Sequence, residues 1–434
     1  MKNITLFILL GLAVAFTACT IEDQVDPNGP SITSVTKDAT TGELDLLVYG
    51  AESRLRFSRD VFITSTGTIA RELYLFDADP RNTEDLLGKE GAQLDNNTFY
   101  LTASYNRAFQ VIRNCELLLQ GAENTSAVTE AQKNGYEGFA GTIKALMLMN
   151  ELMRLNDNGI RVDLADTDNL GPFVSKSAAF DEIFRLLDEA YNRLQNAEFT
   201  FQLSAGYAGF DDPAGFALFN RAIGARAAIW SERYDRAQGY LDASFYDLDG
   251  DLMEGPKMVF STASGDILNP VFRPLGQSGD QIIVHDFIIN GLRAGDTRSS
   301  KFNLRENPTS QDGLNGTHES AVYASASSPV SIIRNEELIL IAAEANIQTS
   351  KLNDAVTALN VIRNAYGLGD YTGAVTEEAL TEELLYNRAY SLFSEGHRMF
   401  DLRRYGLLNA QYLPIDRPGD QVFTQFPIPL NENQ

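Results

Sequence analysis

The residues predict a mostly α-helical protein, a scaffold of tetratricopeptide-like helical pairs carrying long irregular inserts that contain short strands. Three observations lead there. Apolar residues return at helical spacing in successive segments. Small residues, best seen at Ala342, Ala343, Ala345, Ala355 and Ala358, cluster where paired helices must approach. The helical segments are separated by long stretches richer in Gly, Pro, Asp, Ser and aromatics. A lone helical pair leaves its apolar face in water, so the pairs must stack into one continuous core.

The elements follow in chain order. Lys2 precedes an apolar run from Ile4 to Ala15 that is too short to span a bilayer comfortably, and it leads into Phe16-Thr17-Ala18-Cys19. Small residues before a cysteine match a bacterial lipoprotein cleavage site. Residues 1–18 are therefore expected to be a signal peptide and Cys19 a lipidated N-terminus, with acyl chains anchoring the protein without a spanning helix. A plain secretory peptide cut near Ala18 is the alternative. Residues 19–42, polar and carrying Pro27, Gly29 and Pro30, read as a tether. Residues 43–434 read as a single domain, with an N-terminal part over 43–243, an insert over 244–330 and a C-terminal part over 331–434.

Within that domain Tyr105, Phe109, Ile112 and Leu119 mark one helix, and Phe139, Ile143, Leu146, Met149 and Leu152 mark its partner. Phe180 to Leu194 is a third and Phe216 to Tyr234 a fourth, followed by Ile332 to Ile347, Ala355 to Ala365, and a last helix from Glu377 to about Tyr405. Stretches 43–100, 244–330 and 406–434 are expected to be irregular, with Gln281–Val284 a short strand. Loops of that length in a compact protein usually carry function.

Composition excludes several classes. The 434 residues include 35 Lys and Arg against 59 Asp and Glu, a net charge of -24, which repels phosphate backbones and argues against nucleic acid as a partner. Of two cysteines one is the expected anchor, so Cys115 is left for a helix core and no disulfide framework is available. His285, His318 and His397 are scattered, with no zinc spacing. Asp247-Leu-Asp249-Gly250-Asp251 resembles a calcium loop in composition only, since its glycine is fourth rather than sixth. No GxSxG elbow, Walker loop or Ser-His-Asp pattern appears, and no cofactor or metal is expected.

The C-terminal third carries the most specific text. Arg334, Glu337 and Glu344, followed by Ala345, stand on one face of an otherwise apolar helix, and such charges must be paired when buried. Asn360 and Arg363 follow, then Asn387-Arg388, Glu395-Gly396-His397-Arg398, Asp401 and Arg404, and a closing Phe426-Pro427-Ile428-Pro429 with Glu432. Arg388 and Glu395, seven apart, read as one helix face. In these patterns and spacings the chain resembles the SusD/RagB family of Bacteroidota outer-membrane lipoproteins, and looser resemblance runs through the upstream helices to Asp296-Thr297-Arg298. Asn387 and Ser391 depart from the family's usual glutamates, Met399 from its tryptophan, Tyr105 from a helix-starting tryptophan, and Gly159-Ile160-Arg161-Val162 from its usual turn. The signature charges Arg334, Glu337, Glu344, Arg363, Arg388, Glu395, Arg398, Asp401 and Arg404, with Gly396, are read as structural, buried pairs that fix helix register. Arginines beside carboxylates keep them ionised, which suits no general acid.

The resemblance implies a SusD-like fold and a non-catalytic binding protein at the cell surface, lipid-anchored in the outer membrane through Cys19. It would capture an oligosaccharide, or a peptide, and act as a lid that delivers the nutrient to a SusC-like TonB-dependent transporter. Inserts matching the family's binding surface offer Arg71, Tyr74 and Phe76, then Tyr100 and Tyr105 at the first helix, and Phe287, Arg293 and Tyr323 in the later insert. Asp296 and Arg298 are assigned to loop structure. The single Trp230 falls in an alanine-rich helix and is expected in the core, so a sugar-stacking platform must draw on the 17 Tyr and 25 Phe. Two rivals remain at this stage: a secreted glycan-degrading enzyme on a helical scaffold, and a tetratricopeptide adaptor that binds only proteins.

Overall fold

In the structure, a computed structural model that describes residues 32–433, helices begin where the sequence supplies caps. Helix α1 (Ile32–Asp38) leads into α2 (Thr41–Leu55), opened by a capping box in which Thr40 Oγ1 accepts from Glu43 N and the Glu43 carboxylate accepts from Thr40 N at 2.8 Å. Next come α3 (Arg59–Ile69), β1 (Leu73–Phe76) and the single turn α4 (Glu84–Leu87). Helices α5 (Phe99–Asn124) and α6 (Glu130–Leu155) follow, the second opened by a box of Thr129 and Gln132. After β2 (Ile160–Arg161) and β3 (Phe173–Val174) stand α7 (Lys176–Leu194), α8 (Pro213–Trp230) and α9 (Tyr234–Asp242). Pro213 occupies the first turn of α8, where its missing N–H costs nothing, and Asp212 caps it. The later insert holds β4 (Lys257–Met258), β5 (Gln281–Val284), α10 (Asp286–Gly291), β6 (Phe302–Gln311), β7 (Leu314–Ser320) and β8 (Val330–Ser331). Helices α11 (Asn335–Gln348), α12 (Leu352–Ala365), α13 (Glu377–Ser391) and α14 (Arg398–Arg404) complete the scaffold.

The helices stack in sequence order, α2 on α5, α5 on α6, and onward through α7, α8 and α9 to α11, which packs on α12 and α13. This is the predicted helical scaffold with inserts. The close approaches use small residues as expected: Ala342, Ala343, Ala345, Ala355 and Ala358 are all buried. On α6 a Cβ at Gly138 would stand 2.6 Å from the Leu194 side chain of α7, so only hydrogen fits there. Trp230 lies in the core, edge-on to Phe400 at 5.2 Å between ring centres. Cys115 is buried in α5, and burial pushes its thiol up, away from reactivity.

Four expectations need correction or completion. The signal peptide and Cys19 lie outside the described residues, but the tether expected over 19–42 is folded from Ile32 onward. Val35 and Ala39 of that segment are buried, and Asn124 Nδ2 donates to Thr36 O at 2.9 Å, pinning α1 to the end of α5. The first insert, expected to be irregular over 43–100, contains α2 and α3. Its Leu44, Leu47, Val48, Ala51 and Leu55 form a buried helical stripe, and each large side chain there gains roughly 1.5–3 kcal/mol on burial, which outweighs the nearby glycines. The last helix, expected unbroken from Glu377 to about Tyr405, stops at Ser391 and restarts at Arg398. Ser394 and Gly396 take left-handed backbone in between (φ 61° and 83°), and a Cβ on Gly396 would stand 2.6 Å from the Phe62 ring. Arg388 and Glu395 therefore share no helix face.

The inserts meet one another. Strand β1 of the first pairs antiparallel with β5 of the second, Leu73 opposite Val284 and Phe76 opposite Gln281, in a sheet of order β1-β5-β7-β6. Strands β6 and β7 form a hairpin around Asp312-Gly313, both at positive φ (51° and 79°), the turn geometry that an Asp-Gly pair favours.

Candidate functional site

The signature charges lie inside the helical stack, and each has a fixed partner except at one position. Arg226 of α8 grips Glu337 of α11 through two bonds, Nε to Oε1 at 2.6 Å and Nη2 to Oε2 at 2.5 Å. Arg334 holds Glu336 at 2.7 Å, pairs with Glu395, and donates to Ser391 O at 2.8 Å, so it ties the break after α13 to the start of α11. Glu344 pairs with Arg404 and accepts from Tyr405 Oη at 3.0 Å. Asp401 takes Arg388 Nε and Arg404 Nη2, both at 2.7 Å. Burial alone would raise the Asp401 carboxyl, but Arg388 and Arg404 overcome it and hold it below the usual range. Arg363 binds Glu383 at 2.6 Å. Burial, reinforced by Arg226 and Arg388, drives the His397 imidazole well down, so it stays neutral.

The residues that replace family glutamates serve the same interior. Asn387 Oδ1 and Ser391 Oγ accept from Arg298 at 3.1 and 2.9 Å, and Arg298 also makes a two-pronged bond to Asp296. Arg298 and Asp296 are buried, in the loop-fixing role assigned to them. The Asp247 segment is an Asx turn, with Asp249 N donating to Asp247 Oδ1 at 2.9 Å, and Asn335 Nδ2 closes it by bonding Asp247 O at 2.7 Å. Among the described residues no group of three or more His, Cys, Asp or Glu is placed to hold a metal ion.

Of the eight side chains singled out for ligand contact, five are spent inside the protein. Arg71 is fully buried, donating to Asp416 Oδ2 at 3.0 Å and Gln421 O at 2.9 Å. Tyr74 and Phe76 stack on each other at 5.6 Å beneath the sheet, with Tyr74 also against His285. Tyr100 Oη donates to Asp85 Oδ2 at 3.0 Å, and Tyr105 Oη to Glu432 Oε1 at 3.1 Å. All five, expected to contact ligand, are buried and packed or hydrogen-bonded within the chain. Tyr323 is half-buried, and burial followed by the Glu395 charge pushes its hydroxyl up.

The remaining two, Phe287 and Arg293, come together on one cleft of about 620 Å³ between α10 and the helices α13 and α14. Phe287 is half-buried and meets Tyr412 edge-to-face at 5.8 Å. Tyr412 is 40% exposed and forms an outer lip. Arg293 lies flat over Tyr386, its Cζ 3.8 Å from the ring centre, and binds Glu383 at 2.6 Å. Tyr386 is oriented from two sides, donating to Asp296 Oδ2 at 2.7 Å and accepting from Arg293 N at 3.0 Å. Asn290 and Glu382 are exposed at the cleft's edge, and Arg398, Tyr390 and Leu402 lie deep in it. Aromatic faces flanked by planar polar groups can hold a ring-shaped, hydroxyl-rich molecule through its apolar face while the polar groups take its hydroxyls.

Sequence reasoning did not find Tyr386, Tyr412 or Asn290. Tyr386 and Tyr390 flank the signature Asn387-Arg388, four apart on α13, and that spacing was the available signal. Nothing in the sequence placed Tyr412 opposite Phe287.

The SusD family model matches residues 293–432, which include most of the cleft and all the signature charges. Among solved structures, a SusD superfamily protein from Bacteroides vulgatus superposes with a TM-score of 0.69 at 16% identity, covering 90% of this chain and 96% of that one. A surface glycan-binding protein A from Bacteroides thetaiotaomicron, in complex with laminarihexaose, superposes with a TM-score of 0.71 at 13% identity over 91% and 97% of the two chains. The same kind of protein from Bacteroides uniformis gives 0.64 at 15% identity over 86% and 92%. No curated protein matches by sequence comparison.

Proposed function

We propose that the chain, whose residues 293–432 match the SusD family model, is a SusD/RagB-family nutrient-binding protein that captures an oligosaccharide, or a peptide, and hands it to a SusC-like TonB-dependent transporter in the outer membrane. The observation that carries this reading is the cleft of Phe287, Tyr386 and Tyr412 with Arg293, Asn290 and Glu382, aromatic walls with the exposed Tyr412 at the lip and planar polar groups around them. Its fold is shared with a glycan-binding protein whose structure holds laminarihexaose. Trp230 is in the core, so the platform uses Tyr and Phe.

Binding, rather than bond cleavage, fits the chemistry of the acids nearby. Asp401 is held ionised between two arginines, and Glu383 is held below the usual range because Arg293 and Arg363 outweigh its burial. Neither is poised to donate a proton. The cell-surface position rests on the lipoprotein signal ending at Cys19, and among the described residues no helix is long and apolar enough to cross a membrane.

Affinity isolation of the full-length lipidated protein from gently solubilised outer membranes tests the delivery role. A large β-barrel receptor in near-equal amount is expected. Recovery of the protein alone, under conditions that preserve other membrane complexes, together with product formation from glycans by the purified chain, would replace this reading with the hydrolase.

A further inference from the structure

Among the described residues, the cleft holds one arginine with no carboxylate in bonding distance. Arg398 is only 7% exposed, yet among the described residues it makes no ion pair. Its one side-chain hydrogen bond to a described residue is from Nε to Ala70 O at 3.3 Å, long for such a contact. Among the described residues neither terminal nitrogen has a hydrogen-bond partner, and neither is sealed away from the cleft that Arg398 lines. The guanidinium carbon sits 5.5 Å from the centre of the Phe287 ring, beside the surface on which a sugar would stack.

The other charges around the cleft are committed or peripheral. Arg293 is bound to Glu383, Asp401 is held by Arg388 and Arg404, Glu382 is exposed at the edge, and the buried Glu72, outside the cleft lining, attracts Arg398 without forming an ion pair with it. Every other arginine of the signature has a carboxylate within bonding distance: Arg334, Arg363, Arg388 and Arg404 all pair. In a protein of net charge -24, a nearly buried arginine with two free donors is an anomaly that a ligand would resolve. A guanidinium presents two parallel N–H bonds in a plane, the geometry that a carboxylate accepts in bidentate fashion.

We propose that the ligand of this cleft is an acidic oligosaccharide, whose sugar ring stacks on the exposed ring of Tyr412 while its anionic substituent, a uronate carboxylate or a sulfate ester, binds the free nitrogens of Arg398. This rests on the cleft being the glycan site. It adds a class: an anionic sugar, selected over its neutral counterpart by a charge at the base of the cleft. Bulk charge opposes such a ligand at long range, so selection must come from short-range contact and weakens in salt.

The test is isothermal titration of the full chain with matched pairs: oligogalacturonate against its methyl ester, a glucuronate-containing oligosaccharide against its carboxyl-reduced form, and a sulfated oligosaccharide against its desulfated form. Acid should bind at least about tenfold tighter than its neutral partner in one pair, and the pair that discriminates identifies carboxylate or sulfate. Arg398→Gln should erase that preference, and Arg398→Lys should restore part of it. If Arg398→Gln fails to fold, the wild-type pairs still decide. Equal affinity for neutral and acidic members of every pair overturns this inference and leaves the proposed function standing. Failure to bind any saccharide, acidic or neutral, overturns the oligosaccharide reading and this inference with it.

Discussion

Replacing Glu72 with glutamine should change how stability depends on pH. Glu72 precedes β1 and is 1% exposed; its Oε2 has no partner among the described residues, and its Oε1 receives only a long bond from Ser394 N at 3.4 Å. Burial is the largest influence on it. Together with repulsion from Glu395 and Asp401, burial outweighs the attraction of Arg398 and the Ser394 bond, and the carboxyl is pushed up from 4.5 to about 7. Between those two values the folded chain keeps a proton that the unfolded chain has lost. Stability from this group is therefore complete below the unfolded value and declines as pH rises through the folded one. At about 1.4 kcal/mol per unit, the loss reaches about 3 kcal/mol by pH ~8. Glutamine has the same shape and no charge to bury. Glu72→Gln is thus expected to match wild type near pH ~4, below the unfolded value, and to exceed it by about 3 kcal/mol near pH ~8. Urea unfolding of both proteins at the two pH values measures this directly. A difference that is the same at both, or a glutamine variant that is the weaker one in alkali, would refute the argument that unpaired burial governs this carboxyl.

Glu337→Ala strands Arg226, which is buried and bonded to both carboxylate oxygens, and should cost about 3–5 kcal/mol in chemical denaturation. Replacing both partners with apolar residues of similar size should recover much of that. Gly396→Ala forces a side chain onto backbone at φ 83° and into the Phe62 ring, and a loss of about 1–3 kcal/mol is expected in the same assay; an unchanged midpoint would show that the turn between α13 and α14 yields freely. Tyr412→Ala removes an exposed lip of the cleft, so melting temperature should hold while glycan affinity falls roughly 3- to 10-fold by titration calorimetry. Cys19→Ala should move the protein from the membrane fraction to the soluble one with its circular dichroism unchanged, and retention in the membrane would defeat the anchor.

The candidate site shows how unevenly sequence exposes a binding surface. Phe287 and Arg293 could be picked because they sit in a long insert at positions matching a known family. Arg71, Tyr74, Phe76, Tyr100 and Tyr105 had equal claim on those grounds, and all five are buried against partners remote in the chain, such as Asp416 for Arg71 and Glu432 for Tyr105. Side-chain chemistry is the same whether a tyrosine stacks on a sugar or on a neighbouring ring. Arg398 stood in plain view in the signature, but that it lacks a carboxylate while its four companions have one appears only when the helices are assembled.

Local interactions wrote much of this protein into its amino-acid order. Apolar stripes of 3.6-residue period from Tyr105 onward and alanines at the tight crossings each depend on residues within a few positions of one another, so they can be read along the chain. Arg398 apart, the signature charges lie in buried pairs, as expected of a charge on an apolar helix face, which must find a counter-charge. Which counter-charge it finds is a long-range matter. Arg226 meeting Glu337, β1 meeting β5, and Phe287 meeting Tyr412 each join segments far apart in sequence, and their pairing is settled by how the whole stack packs rather than by any local pattern. The same holds for the break at Gly396, set by the Phe62 ring arriving from α3, and for the cleft itself, whose walls come from an insert and from helices that only the completed fold places side by side.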